Sequence, residues 1–98
     1  MNKIKTTYYI LKRDVLGLIN KTKDRIFHVA FLKKNGELRR MKCRLGVKKH
    51  LKGGRLSFKP KEYNLLVVFD MDKGGYRMVN LDTIMSISMK GVEYNVTD

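Results

Sequence analysis

The chain has no tryptophan, one proline and one cysteine, and each scarcity removes a class of answer. A lone Cys43 cannot form an intramolecular disulfide, which argues against a secreted framework of cysteine pairs and makes a reducing cytoplasm the expected setting. A single proline among 43% hydrophobic residues excludes a Pro-rich linker or a disordered tail. Long apolar runs are missing as well. The opening MNKIKTTYYILKRD is interrupted by Lys12, Arg13 and Asp14. Neither a signal-peptide core nor a membrane span of about 20 residues is expected, and the chain reads as soluble. Acidic residues are also scarce, 9 against 22 Lys and Arg, for a net charge of +13.

Ninety-eight residues suffice for one modest core and no more, so a single domain is expected. Residues 1–24 are read as an N-terminal helical segment packing on a barrel formed by residues 25–98. The charge is segregated along this length: residues 1–24 balance at +4, 25–62 at +11 and 63–98 at −2. Such segregation produces a one-sided field that attracts phosphate backbones or an acidic protein face. The plain alternative is a solvated face that keeps a small domain soluble.

In the stretch TYYILKRDVLGLINKT, Tyr8, Leu11, Val15, Leu18 and Ile19 recur at spacings of three and four, as on one stripe of an amphipathic helix. Thr7 could cap a long helix, or Asp14 a short one with TTYYI left extended. A helix over about 13–22 is favoured, although Gly17 weakens it by about 1 kcal/mol relative to Ala. From Arg25 the period becomes two, with Phe27, Val29 and Phe31 on one face. Lys34-Asn35-Gly36-Glu37 follows, and Asn-Gly is the pair that best tolerates positive φ in a two-residue hairpin turn.

The returning strand, Leu38 to Leu45, places Met41, Cys43 and Leu45 on one face and Arg40, Lys42 and Arg44 on the other. Alternate side chains on a strand lie about 6 to 7 Å apart, close to the spacing of successive phosphates on a nucleic acid. Charged strands also serve simply to discourage edge pairing. Gly46 opens GVKKHLKGG, a glycine-bounded basic loop in which Val47 and Leu51 are spaced to anchor one helical turn. No GxxxxGK[ST] pattern is present, which rejects a nucleotide-hydrolysing P-loop.

Arg55 to Phe58 is expected as a short strand. Tyr63 to Asp70 is apolar on both faces in its middle and reads as a central strand covered by the barrel interior and the N-terminal helix. On that reading Val67→Asp buries an unpaired charge and unfolds the domain. Strands are expected over Tyr76 to Asn80 and Met85 to Met89, with a single helical turn at Leu81 to Ile84 between them. Gly91 then leads to a short tail. The six methionines are read as packing material.

Short strands, an Asn-Gly hairpin and one turn before a final strand describe a mainly β fold, a small antiparallel barrel of five to six strands with an N-terminal α-helix. YRMVNLDTIMSI resembles the end of SH3-like barrels, including the ligand-sensing WYL-type domains of bacterial regulators. CRLGVKKHLKGG and VVFDMDKGGYRMVNLDTI are similar to segments of small phage-encoded proteins with an SH3-type barrel fold. The resemblance covers about residues 25–90. It implies an SH3-like β-barrel, a phage origin and, by carry-over from the WYL-type domains, Arg77 as an anion-contacting position. The Trp-Tyr-Leu triplet that names those domains is absent, and no helix-turn-helix is expected ahead of the barrel.

No set of titratable side chains converges as acid-base catalysis requires, so no catalytic residue is expected. Cys43 reads as a buried hydrophobe, His28 and His50 as isolated, and Asp70 and Asp72 as residues flanking a turn; no metal or cofactor is expected. The leading expectation is a nucleic-acid-binding barrel. Arg39, Arg40, Lys42, Arg44, Lys48, Lys49, Lys52 and Arg55 would contact the phosphates of DNA or RNA. Phe58 and Tyr63 are the nearest aromatic residues in sequence, so sequence preference should be weak. The alternative is a protein-interaction module that docks an acidic host or virion protein, with Tyr8, Tyr9, Tyr76 and Tyr94 as anchors. An open sheet edge could also pair with another copy.

Overall fold

A computed structural model describes residues 6–46 and 60–98, with no side-chain placement for 60 and 61. Among the described residues seven strands form one sheet: β1 (Thr6–Leu11), β2 (Phe27–Leu32), β3 (Leu38–Arg44), β4 (Leu65–Asp70), β5 (Gly75–Asn80), β6 (Ile84–Met89) and β7 (Val92–Thr97). Their order across the sheet is β1-β7-β6-β2-β3-β4-β5. The short helix α1 (Val15–Asn20) follows β1 through a 3-10 turn at Lys12–Asp14. The sheet curls so that β5, at one end, returns to touch β2.

The alternation of Phe27, Val29 and Phe31 does what its period requires: all three are buried, while His28 between them is exposed. Met41 and Cys43 meet them from β3, Val68 and Val79 from β4 and β5, and Ile84 and Ile87 from β6. Helix α1 closes one side of this core with Val15 and Ile19, both essentially inaccessible. Burying an aliphatic or aromatic side chain of this size contributes about 1.5 to 3 kcal/mol. The helix is shorter than 13–22, and TTYYI is extended, as in the second of the two starts. Asp14 precedes the helix without a side-chain capping bond. At the other end buried Thr22 donates from Oγ1 to the Ile19 carbonyl at 2.7 Å, satisfying one of the free helix-end acceptors.

Several sequence expectations are corrected. The Asn-Gly hairpin is a three-residue connection: Gly36 N donates to the Lys33 carbonyl at 2.9 Å and Lys33 N to the Glu37 carbonyl at 2.8 Å. Only Gly36 has positive φ, at 86°, the arrangement of a type I turn followed by a left-handed glycine bulge. The two-residue turn with both central residues at positive φ is Lys90-Gly91, where the sequence led only to a tail. That turn launches β7, which pairs antiparallel with β6 and accepts β1 in parallel on its far side. The sheet is therefore not wholly antiparallel and has two strands beyond the five from β2 to β6.

Val67 is 37% exposed and does not lie at the buried centre of β4; Val68, at 1%, does. Met85 is also exposed, because β6 bulges there: Ala30 faces Ser86 and Phe31 faces Ile84, leaving Met85 without an opposite number on β2. Leu81 to Thr83 is a turn without helix. The expected loop helix at Val47 to Leu51 and the strand at Arg55 to Phe58 lie outside the described residues. Among the described residues no helix is long and apolar enough to cross a membrane.

Candidate nucleic-acid interface

The outer face of the sheet opposite the core is built by strand register. Arg40 on β3 faces Ala30 on β2, which faces Ser86 on β6, which faces Asn95 on β7. One step along, Lys42 faces His28, His28 faces Ser88 and Ser88 faces Glu93. Two transverse rows result, each crossing four strands and spanning about 14 Å at the usual strand spacing. Ala30 and Ser86 occupy the middle of the first row, between Arg40 and Asn95, and His28 and Ser88 the middle of the second, between Lys42 and Glu93. The consequence is a groove of about 460 Å³ lined by Arg40, Lys42, His28, Ser86, Ser88, Glu93 and Asp72, with Ala30 on its floor.

Arg40 and Lys42 are exposed, and among the described residues neither makes an ion pair. Their cationic heads are available at one wall of the groove. The opposite wall is acidic at Glu93. Asp72 reaches the cationic wall because Met71 N, at the start of the β4–β5 turn, donates to the Lys42 carbonyl at 2.8 Å and lays the turn against β3.

The remaining candidates divide. Arg44 shares the Arg40 and Lys42 face but is half-buried opposite Phe69, and its Nε has no hydrogen-bond partner among the described residues. Arg39 is displaced by one position and lies on the opposite face, where its Nη2 donates to Asp70 Oδ2 at 3.2 Å. The structure does not bring it together with Arg40 and Lys42. Lys48, Lys49, Lys52 and Arg55 lie outside the described residues. Arg77 is exposed on β5, away from the groove, and donates from Nη1 to the Tyr76 carbonyl at 2.8 Å. It lines a separate cleft with Lys33, Lys34, Phe31 and Met78.

His28, Ser86, Ser88 and Glu93 join the groove although the sequence reading did not place them there. The alternation of Ser86 and Ser88 with Ile87 signalled an outward polar pair, but only the register reveals that β6 lies beside β2. A larger hollow of about 710 Å³ is lined by Leu11, Val15, Leu16 and Leu81 beside the Lys12–Asp98 ion pair. Arg13 and Asn64 line it as well, and among the described residues it holds none of the predicted site residues.

Beneath β3 lies the free, buried Cys43. Burial, and then the negative charge of Asp70, push the Cys43 thiol up to about 12, which leaves almost no nucleophilic thiolate at neutral pH. Among the described residues no three His, Cys, Asp or Glu side chains cluster so as to hold a metal ion.

Comparison with known proteins adds one match. The family WYL_2, described as having an Sm-like SH3 beta-barrel fold, matches residues 15–85. No curated protein and no solved structure matches the chain.

Proposed function

The chain belongs to the WYL_2 family of Sm-like SH3 β-barrels, and from that scaffold we propose a non-enzymatic basic module that binds nucleic-acid phosphates. The observation that carries the reading is that Arg40 and Lys42 lie on one face of β3, exposed and without ion pairs among the described residues, along a groove that Ala30, His28, Ser86 and Ser88 line beside them. A floor of Ala30, Ser86 and Ser88 leaves room for a backbone to approach, and serine hydroxyls donate to phosphate oxygens. Arg44 and the basic loop residues Lys48, Lys49, Lys52 and Arg55 extend the same cationic segment in sequence. Among the described residues no Phe, Tyr or Trp lines the groove and His28 is the one ring there, so base stacking is limited and the module tracks backbone with weak sequence preference. A phage accessory role in a host cytoplasm belongs to the same proposal and rests on the resemblance of CRLGVKKHLKGG and VVFDMDKGGYRMVNLDTI.

The test is binding of a labelled single strand and a duplex at about 50 and about 200 mM salt, where six phosphate contacts would cost about 10³-fold in affinity. Reversing Arg40, Lys42 and Lys49 to Glu should weaken binding and flatten the salt slope. Unchanged binding by that triple variant would sink the proposal.

One observation favours a second reading, docking of an acidic protein. Asp72 and Glu93 share the groove with Arg40 and Lys42, and a face of mixed sign suits a partner with its own paired charges. A pull-down that yields one stoichiometric protein, undisturbed by nuclease, would favour this reading over the first.

A further inference from the structure

The turn from Lys33 to Glu37 holds a reactive pair that the groove does not use. Asn35 precedes Gly36, whereas Asn2, Asn20, Asn64, Asn80 and Asn95 precede Lys, Lys, Leu, Leu and Val. Glycine has no side chain to obstruct attack by its own backbone nitrogen on the residue before it. Residues 33–37 are all exposed, and a Cβ at Gly36 would meet nothing within 4 Å among the described residues.

Two hydrogen bonds set the geometry. Glu37 N donates to Asn35 Oδ1 at 3.0 Å, which folds the side-chain amide back over the Gly36 peptide. The same donor draws electron density from Cγ and stabilises negative charge that develops on Oδ1. Gly36 N donates to the Lys33 carbonyl at 2.9 Å, so the proton of the attacking nitrogen is engaged while the turn is closed. The first bond promotes attack and the second restrains it. Breaking the second takes only a local opening of an exposed turn, which costs far less than global unfolding.

We propose that Asn35 is a self-modification site, converting to aspartate and isoaspartate in the folded protein at a rate limited by opening of the Gly36–Lys33 bond. Once Gly36 N has given up its proton, it forms a bond to Asn35 Cγ. The Cγ–Nδ2 bond then breaks, Nδ2 leaves as ammonia with a proton in place of the one lost from Gly36, and a cyclic imide remains. Water adds to one of its two carbonyl carbons. Opening at Cγ restores the main chain and leaves aspartate; opening at the backbone carbonyl carbon leaves isoaspartate, in which the chain runs through Cβ and Cγ. Nothing is oxidised or reduced, and water is the only co-reactant. Both reacting groups lie within the turn, so no partner and no other segment of the chain has to supply one.

Either product replaces a neutral amide with a carboxylate in a strongly basic part of the sequence. Isoaspartate also lengthens the backbone of the turn that sets the β2–β3 register, in which Arg40 faces Ala30. The proposal is independent of the groove's ligand.

Incubation of the full chain at mildly alkaline pH, followed by peptide mapping, tests it. Aspartate and isoaspartate should accumulate at position 35 ahead of the other five asparagines, with an acidic shift in isoelectric focusing and matching release of ammonia. The same incubation in guanidinium chloride frees the Gly36 N–H and should speed the conversion. Asn35→Gln keeps an exposed amide but must close a larger ring, so it should lose the acidic shift, and its melting temperature reports that the fold persists. An Asn35 that stays intact in the folded chain overturns the proposal. So does an acidic shift that survives in folded Asn35→Gln, or a conversion no faster in denaturant than in buffer.

Discussion

Arg39 Nη2 donates to Asp70 Oδ2 at 3.2 Å, joining β3 to β4 across 31 residues of sequence. The Asp70 side chain is only 3% exposed, while that of Arg39 is 30% exposed. Its other oxygen, Oδ1, accepts from the amides of Asp72 and Lys73, both at 3.0 Å, so one carboxylate organises the β4–β5 turn and the strand pair beside it. Burial pulls the Asp70 carboxyl upward. The two amides and the Arg39 guanidinium outweigh it and hold the carboxyl below its usual range.

An acid-dependent stability follows from the direction of that shift. The unfolded chain takes up its proton first as pH falls, because its carboxyl titrates at about 3.9 and the folded one lower. The contribution is thus complete above about pH 5, declines through about 3.9 and is lost below the folded value. Asp70→Asn should cost about 3 kcal/mol at neutral pH, since it leaves Arg39 without its partner, and should flatten this acid limb. Urea unfolding of both proteins at several pH values checks it; equal acid sensitivity would remove Asp70 from the account.

The same contact separates Arg39 from the proposed phosphate surface. Arg39→Ala should lower stability by about 2 kcal/mol while leaving the salt slope of nucleic-acid binding intact. Arg40→Ala and Lys42→Ala should leave stability within about 0.5 kcal/mol and each reduce the slope by about 0.7 to 0.9. Denaturation and a binding titration on the same three variants read both quantities.

Along β4 the cost of substitution should alternate. Val68→Ala should cost about 2 kcal/mol, because the site is 1% exposed within the core. Val67→Asp, at a position 37% exposed, should cost less than about 1 kcal/mol and leave a cooperative transition. The order of the two urea midpoints decides between this register and one shifted by a residue.

Cys43 should resist alkylation in the native protein, with a thiol at about 12 and no exposed surface. Modification at pH 8 should follow the unfolding equilibrium, fast in denaturant and slow without it. Rapid labelling of the native chain would contradict the burial of β3.

Much of the barrel was legible because its signals are local. The period-two pattern at Phe27 to Phe31 and the cationic alternation of Arg40, Lys42 and Arg44 depend only on a strand presenting successive side chains to opposite faces. The errors arose where the deciding contact is distant. A continuous apolar run does not say which of Val67 and Val68 points inward, and Lys90-Gly91 lacks the residue pair that advertises a two-residue turn. β7, and with it the placement of β1, therefore went unread. Nothing local distinguishes Arg39 from the other cations of β3; Asp70, 31 residues away in sequence, does.

By itself the sequence determined a small basic β protein, the strands β2 to β6 and the cations that alternate on β3, since propensity, period and charge are properties of neighbouring residues. Only the tertiary structure decided that His28, Ser86, Ser88 and Glu93 line one groove with Arg40 and Lys42, and that β1 and β5 end the sheet among the described residues. Strand order and register depend on which distant segments exchange hydrogen bonds, and no local pattern specifies that partner.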